Sequence, residues 1–129
     1  FFVWVAVYRQ QIMVLLGPKN SEELIEYISE LKNIKNDVKE AIKAAHKDER
    51  RSEKYLKGIC YSIEDIPPII IFPSYDPKEP EDVACIVHET SHAVDFLVQK
   101  LMLEGEGEAR AYLHEFIFAA IKSELDKIC

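Results

Sequence analysis

The sequence predicts an α+β fold, a small twisted mixed sheet of three to five strands covered by one or two helices and followed by a pair of C-terminal helices. Three observations lead there. Short runs rich in Val, Ile and aromatic residues, bounded by Gly and Pro, occur only before Pro73, whereas apolar residues recur at helical spacing from Pro80 to the C-terminus. The chain has 129 residues, and a chain of this size buries a little over 60% of the surface its unfolded form exposes, enough for one core, so residues 1–129 read as a single domain.

The elements follow in order. Phe1 to Tyr8 and Ile12 to Leu16 read as strands, the second stopped by Gly17-Pro18. Asn20-Ser21 followed by Glu22 and Glu23 is a helix-start signal, and Leu24, Ile28, Leu31, Val38, Ile42 and Ala45 then recur at helical spacing up to about Lys47. That stretch is one helix, or two broken near Asn33 to Asn36, and Glu30, Lys32, Lys35, Lys39, Glu40 and Lys43 form its solvated face. His46 reads as a surface residue. Gly58 to Ser62 and Ile69 to Phe72 read as two further strands, and the prolines flanking the latter, Pro67, Pro68 and Pro73, place it at a sheet edge.

Pro80, Glu81 and Asp82 suit the first turn of a helix, because proline lacks the N–H that is unpaired there and the acids oppose the helix dipole. This helix is expected to end between Val98 and Leu103, broken by Gly105 and Gly107, with a last helix from about Glu108 to Lys127. Ala84, Ile86, Val87, Val94, Leu97 and Leu101 are the expected core face of the first, and Ala109, Leu113, Phe116, Ile117 and Ile121 that of the second.

Charge and composition narrow the function. Lys and Arg number 16 against 23 Asp and Glu, for a net charge of −7, and an acidic domain without a basic stripe is a poor match to nucleic acid, whose phosphates supply most of the affinity. Cys60, Cys85 and Cys129 are odd in number and form no CxxC pair, which indicates neither a zinc knuckle nor a disulfide framework and fits a reducing, cytoplasmic compartment. The apolar opening is interrupted by Arg9, Gln10 and Gln11, so it reads as neither a signal peptide nor a membrane span. Abundant Ile, Lys and Glu with few Gln suit a heat-adapted source.

The chemistry concentrates in His88-Glu89-Thr90-Ser91-His92, an HExxH sequence in the penultimate helix. Residues four apart on an α-helix leave the same face one turn apart, so both imidazoles can grip one Zn²⁺ ion while Glu89 leans over its open position as general base. Chance alone gives on the order of 0.015 such matches in a chain of this composition. A third ligand must come from elsewhere. Glu108, at the start of the last helix, is favoured if the first helix ends near Val98; Glu104 and Glu106 in the glycine-rich turn, and His114 and Glu115 further on, stand as alternatives if it runs on. Asp95 lies on nearly the same face as the histidines and could accept a ring N–H. Tyr112, one turn after Glu108, could donate to a developing oxyanion, and Ile69 to Phe72 could hold an extended peptide by strand addition.

HETSHAVD followed by a Glu-led helix, EARAYL, resembles the Glu-type zincin metallopeptidases, and most closely the small phage- and virus-encoded zincin-like proteins with HExxHAxD and then E-x-R-A-Y. HExxHAVD is also similar to the catalytic domain of anthrax lethal factor. The resemblance spans about Gly58 to Phe116 and implies a minimal zincin-like fold, an HExxH helix and a ligand-bearing C-terminal helix, with His88, His92 and Glu108 binding zinc and Glu89 as base. The lethal-factor pattern, with Glu six residues before an aromatic, points instead to Glu106 and Tyr112. The implied activity is peptide-bond hydrolysis, with a peptide or protein as partner and host cytoplasm as location if the chain is viral. Two other readings stand beside it. One is a non-catalytic, zincin-shaped viral module that docks to a host or virion partner; the other is a hydrolase of non-peptide amides.

Overall fold

The computed structural model describes residues 1–17, 58–62 and 66–129, together with the helical positions 23–26, 29, 36–37, 39–40 and 43–44. The architecture is α+β, with a four-stranded mixed sheet and two long helices. Strands β1 (Phe2–Val5), β2 (Gln10–Leu16), β3 (Ile59–Tyr61) and β4 (Ile69–Phe72) lie in the order β1-β2-β4-β3. The pairs β1/β2 and β3/β4 are antiparallel, and β2/β4 is parallel, with Met13 opposite Ile69 and Leu16 opposite Phe72. Helices α1 (Pro80–Lys100) and α2 (Gly107–Ile128) form an antiparallel hairpin on one face.

Period-two alternation sorts the apolar residues onto the two faces. Val3, Val5, Ile12, Val14, Ile70 and Phe72 pack under the helices against Ile86, Val94, Leu97, Leu113, Ile117 and Ile121. Met13, Leu15, Ile59, Ile69 and Ile71 form a second cluster on the other face with Leu24 and Ile66. All four residues of β4 are buried, as expected of a strand covered on both sides.

That burial corrects the placing of β4 at an edge: it lies between β2 and β3, and the outermost described strands are β1 and β3. Pro67 and Pro68 are accommodated because they precede the ladder, and Pro73 because it follows the last strand residue, Phe72. Pro68 contributes its carbonyl, which accepts the Met13 N–H at 2.9 Å, so its missing N–H is never needed. A peptide therefore has no free edge at Ile69–Phe72.

The first expected strand is shorter than predicted. After Val5 the chain makes a 3-10 turn over Ala6–Tyr8, and Arg9 takes a left-handed conformation (φ 51°) before β2. Of the expected helix up to Lys47, positions 23–26, 29, 36–37, 39–40 and 43–44 are helical, Leu24 is fully buried, and Lys43 pairs with Glu40 at 3.4 Å on the exposed face. Asn20, Ser21, Glu22, Ile28, Glu30, Leu31, Lys32, Asn33, Lys35, Val38, Ile42, Ala45, His46 and Lys47 lie outside the described residues. No described helix is long and apolar enough to cross a membrane.

Helix α1 opens on Pro80 with Glu81 and Asp82 in its first turn, as the sequence predicts. It ends at Lys100, between Val98 and Leu103 as expected, but glycine is not what stops it. The Leu103 N–H bonds the Val98 carbonyl at 2.9 Å and the Met102 N–H bonds Gln99 at 3.2 Å, with Met102 left-handed at φ 57°. This is a Schellman cap with methionine where glycine is usual. Gly105 and Gly107 lie beyond it, so they do not break the helix. Ala84, Val87 and Phe116, expected in the core, are exposed, because the buried stripe of α1 runs through Ile86, Glu89, Thr90, Ala93, Val94 and Leu97, and that of α2 through Leu113, Ile117, Ile121 and Leu125.

Candidate metal centre

Successive helical residues turn by about 100°, which sends His88 and His92 to the outer face of α1 and Glu89 to its buried flank. Both imidazoles are exposed, and their rings meet edge to face with Nε2 atoms 3.2 Å apart. The Glu89 side chain is only 6% exposed, and its Oε1 lies 3.9 Å from His88 Nε2, so the carboxylate sits at the boundary between the core and the histidine face.

What packs Glu89 there is the close approach of β3. Gly58, just before that strand, is buried, and a Cβ at this position would stand 2.7 Å from Cys85 Sγ and 2.9 Å from Glu89 Cγ. Burial and the Glu89 charge together push the Cys60 thiol far above its ordinary range, which keeps it protonated and unreactive at neutral pH. Thr90, next to Glu89, is fully buried, and its hydroxyl has no hydrogen-bond partner among the described residues.

The histidine face continues onto α2. Ser91 Oγ donates to the Val87 carbonyl at 3.2 Å and lies 3.0 Å from His114 Nε2. One turn further along α1, Asp95 is bridged by Arg110, so it serves the helix hairpin rather than a ligand histidine. These residues, with Val94, Gly107 and Ala111, line a cavity of about 420 Å³ between the helices.

The two cross-links set the hairpin register. With Ser91 opposite His114 and Asp95 opposite Arg110, the part of α2 level with His92 is near residue 113. Glu108 is then displaced from His92 by about 7.5 Å along the helix axis. Glu104, Glu106, Glu108 and Glu115 are all exposed. Among the described residues no group of three or more His, Cys, Asp or Glu side chains is placed to hold a metal ion. The structure thus brings together His88, His92 and Glu89, sets His114 against Ser91, and leaves Glu108 displaced along the axis. Tyr112 is two residues from His114, roughly 200° around the helix, and its exposed ring stacks on Phe116 at a centroid distance of 6.0 Å. It does not share the histidine face.

Sequence reasoning missed the parts played by Gly58, Ser91 and Arg110. The glycine opening a strand was a usable signal for close backbone approach; the other two depend on hairpin register. No family model, curated protein or solved structure matches the chain.

Proposed function

We propose that the chain is a minimal zinc metallopeptidase in which His88 and His92 hold Zn²⁺ and Glu89 is the general base. The observation that carries this reading is the spacing of the imidazoles. Two nitrogens at 2.0–2.1 Å from one tetrahedral ion sit about 3.3 Å apart, and the Nε2 atoms are 3.2 Å apart. Without an ion the same contact serves as an N–H···N hydrogen bond. The third protein ligand comes from α2: Glu108 is the residue that the zincin resemblance implies, and His114 is the alternative that the hairpin register favours.

When bound, the ion supplies a polarised water and a Lewis acid for the scissile carbonyl. The chain supplies the rest. Glu89, held against β3 by the close packing at Gly58, takes a proton at its carboxylate and delivers it to the leaving amine. An extended peptide pairs with β3, outermost among the described strands on its side, rather than with β4, which has both sides occupied by other strands. Tyr112 supplies no oxyanion donor in this reading, because it lies about 200° around α2 from His114 and off the histidine face.

The test is a set of four variants measured for zinc content and peptide hydrolysis. Glu89→Gln is expected to keep the metal and lose hydrolysis, and His88→Ala to lose both. Zinc uptake that falls in Glu108→Ala but not in His114→Ala assigns the third ligand to Glu108, and the reverse assigns it to His114. Hydrolysis by Glu89→Gln equal to that of the parent refutes the mechanism, and a chain that takes up no zinc in excess metal refutes the reading.

A second reading, a zincin-shaped viral module that binds a partner without catalysis, draws on one observation: no third ligand stands with the histidine pair among the described residues. Zinc-loaded protein that cleaves no member of a peptide library supports it.

A further inference from the structure

Away from the histidine face, the β1–β2 connection, the approach to β4 and the end of α1 enclose a second cavity of about 300 Å³, lined by Trp4, Arg9, Gln10, Gln11, Pro67 and Lys100 among others. Lys100 lies eight residues past His92, about 12 Å along the helix, so this cavity is separate from the candidate metal centre. We propose that it is a binding site for a small planar anion, a carboxylate or phosphate carried on a flat ring.

Charge argues for the anion. In a chain of net charge −7 the fold brings two cations to one cavity from positions far apart in sequence, the β1–β2 connection and the last turn of α1. Like charges held near each other repel, and neither Arg9 nor Lys100 makes an ion pair among the described residues. Lys100 also complements the negative end of the helix dipole, but nothing of that kind accounts for Arg9. Arg9 is held at φ 51°, a left-handed conformation that costs a non-glycine residue about 1 kcal/mol. A guanidinium offers a fork of donors that matches the two oxygens of a carboxylate or phosphate.

Shape argues for the ring. Trp4 is 50% exposed on β1, an outermost strand among those described, and an indole left half in solvent offers a face for stacking. Pro67 adds an apolar wall, and the exposed Gln11 adds an amide donor. The volume lies at the lower end of the range for small-molecule sites.

Trp4 is the single tryptophan of the chain, so its fluorescence reports on this cavity alone. The full chain is titrated with benzoate, phenyl phosphate and benzyl alcohol at constant ionic strength. Saturable quenching by one or both anions, absent with the alcohol, is the expected result; saturation by only one of them identifies the group recognised. Arg9→Asn, which keeps a residue tolerant of the left-handed backbone, and Lys100→Gln are each expected to weaken binding about tenfold, the worth of one charge-assisted contact. If Arg9→Asn does not fold, Lys100→Gln carries the comparison. Quenching that never saturates, equal quenching by the neutral alcohol, or unchanged affinity in the folded variants overturns the proposal.

Discussion

Replacing Gly58 by alanine tests the contact on which the placement of Glu89 depends. The backbone there is not left-handed, so an alanine adopts it without conformational strain and the whole cost is steric. The new Cβ would meet Cys85 Sγ at 2.7 Å, Glu89 Cγ at 2.9 Å and Phe72 Cδ1 at 3.3 Å, and the first two are closer than real Cβ atoms come. Overpacking of this kind costs about 1–3 kcal/mol. Stiffening of the unfolded chain returns about 0.4–1 kcal/mol, leaving a net destabilisation of about 1–2 kcal/mol. In urea unfolding followed by circular dichroism, that lowers the midpoint by about 0.5–1 M. Cys85→Ala removes the nearest obstructing atom, so the double variant is expected to be more stable than the sum of the single effects by about 1 kcal/mol. A Gly58→Ala protein with the parental midpoint, or strictly additive effects in the cycle, would show that β3 does not press on α1 as described.

Other predictions follow from single features. Thr90→Val removes a buried hydroxyl without a partner among the described residues and is expected to stabilise by about 1 kcal/mol, read as a rise in thermal midpoint; a fall would mean that the hydroxyl is satisfied. Met102→Gly relieves the left-handed residue of the α1 cap and is expected to add about 1 kcal/mol, whereas Gly105→Ala, whose Cβ meets nothing within 4 Å, leaves the same urea midpoint unchanged or slightly raised. The Tyr75 hydroxyl donates to Asp126 at 2.8 Å, and burial, then that bond, raise the phenol from 10.0 to about 12. The folded state thus favours the protonated phenol, and its contribution, complete below pH 10, is lost between pH 10 and about 12. Thermal midpoints across that range should fall more steeply for the parent than for Tyr75→Phe, and parallel slopes would refute the assignment.

The fold was legible in the sequence where one local rule acted alone. Pro80, Glu81 and Asp82 marked the start of α1 because a missing N–H and two acids have a single favourable place at a helix end. The strands β2 and β4 announced themselves by unbroken apolar runs. Two rules misled. Proline marks a sheet edge by rule, but at Pro68 it enters the ladder by its carbonyl and costs the neighbouring strand nothing. Glycine marks a helix stop at Gly105, but the helix ends earlier, within the range its spacing predicts, where the hydrogen bonds of the cap close on Met102. In each case the residue type was read correctly and the competing backbone geometry, set by tertiary contacts, decided the outcome.

The candidate site divides along the same line. That His88 and His92 share a face and that Glu89 turns from it follows from helical rotation alone, and the structure places all three accordingly. Which residue of α2 stands level with them depends instead on how the chain turns between Lys100 and Gly107, and a slip of one helical turn moves the facing residue by about 5.4 Å. Ser91 with His114 and Asp95 with Arg110 fix that register, and neither pair carries a local sequence signal. Asp95 and Arg110 are both partly exposed, so their bridge is worth at most about 1 kcal/mol, less than a protein–zinc bond contributes to a closed site. The bridge therefore adds little to the register, which is held mainly by the buried Leu113, Ile117 and Ile121 packed in one core with Ile86, Val94 and Leu97. Ligation by Glu108 would have to draw α2 along α1 against that packing, whereas His114 already stands level with the histidine pair and would have to give up the Ser91 hydroxyl and turn its ring toward the ion.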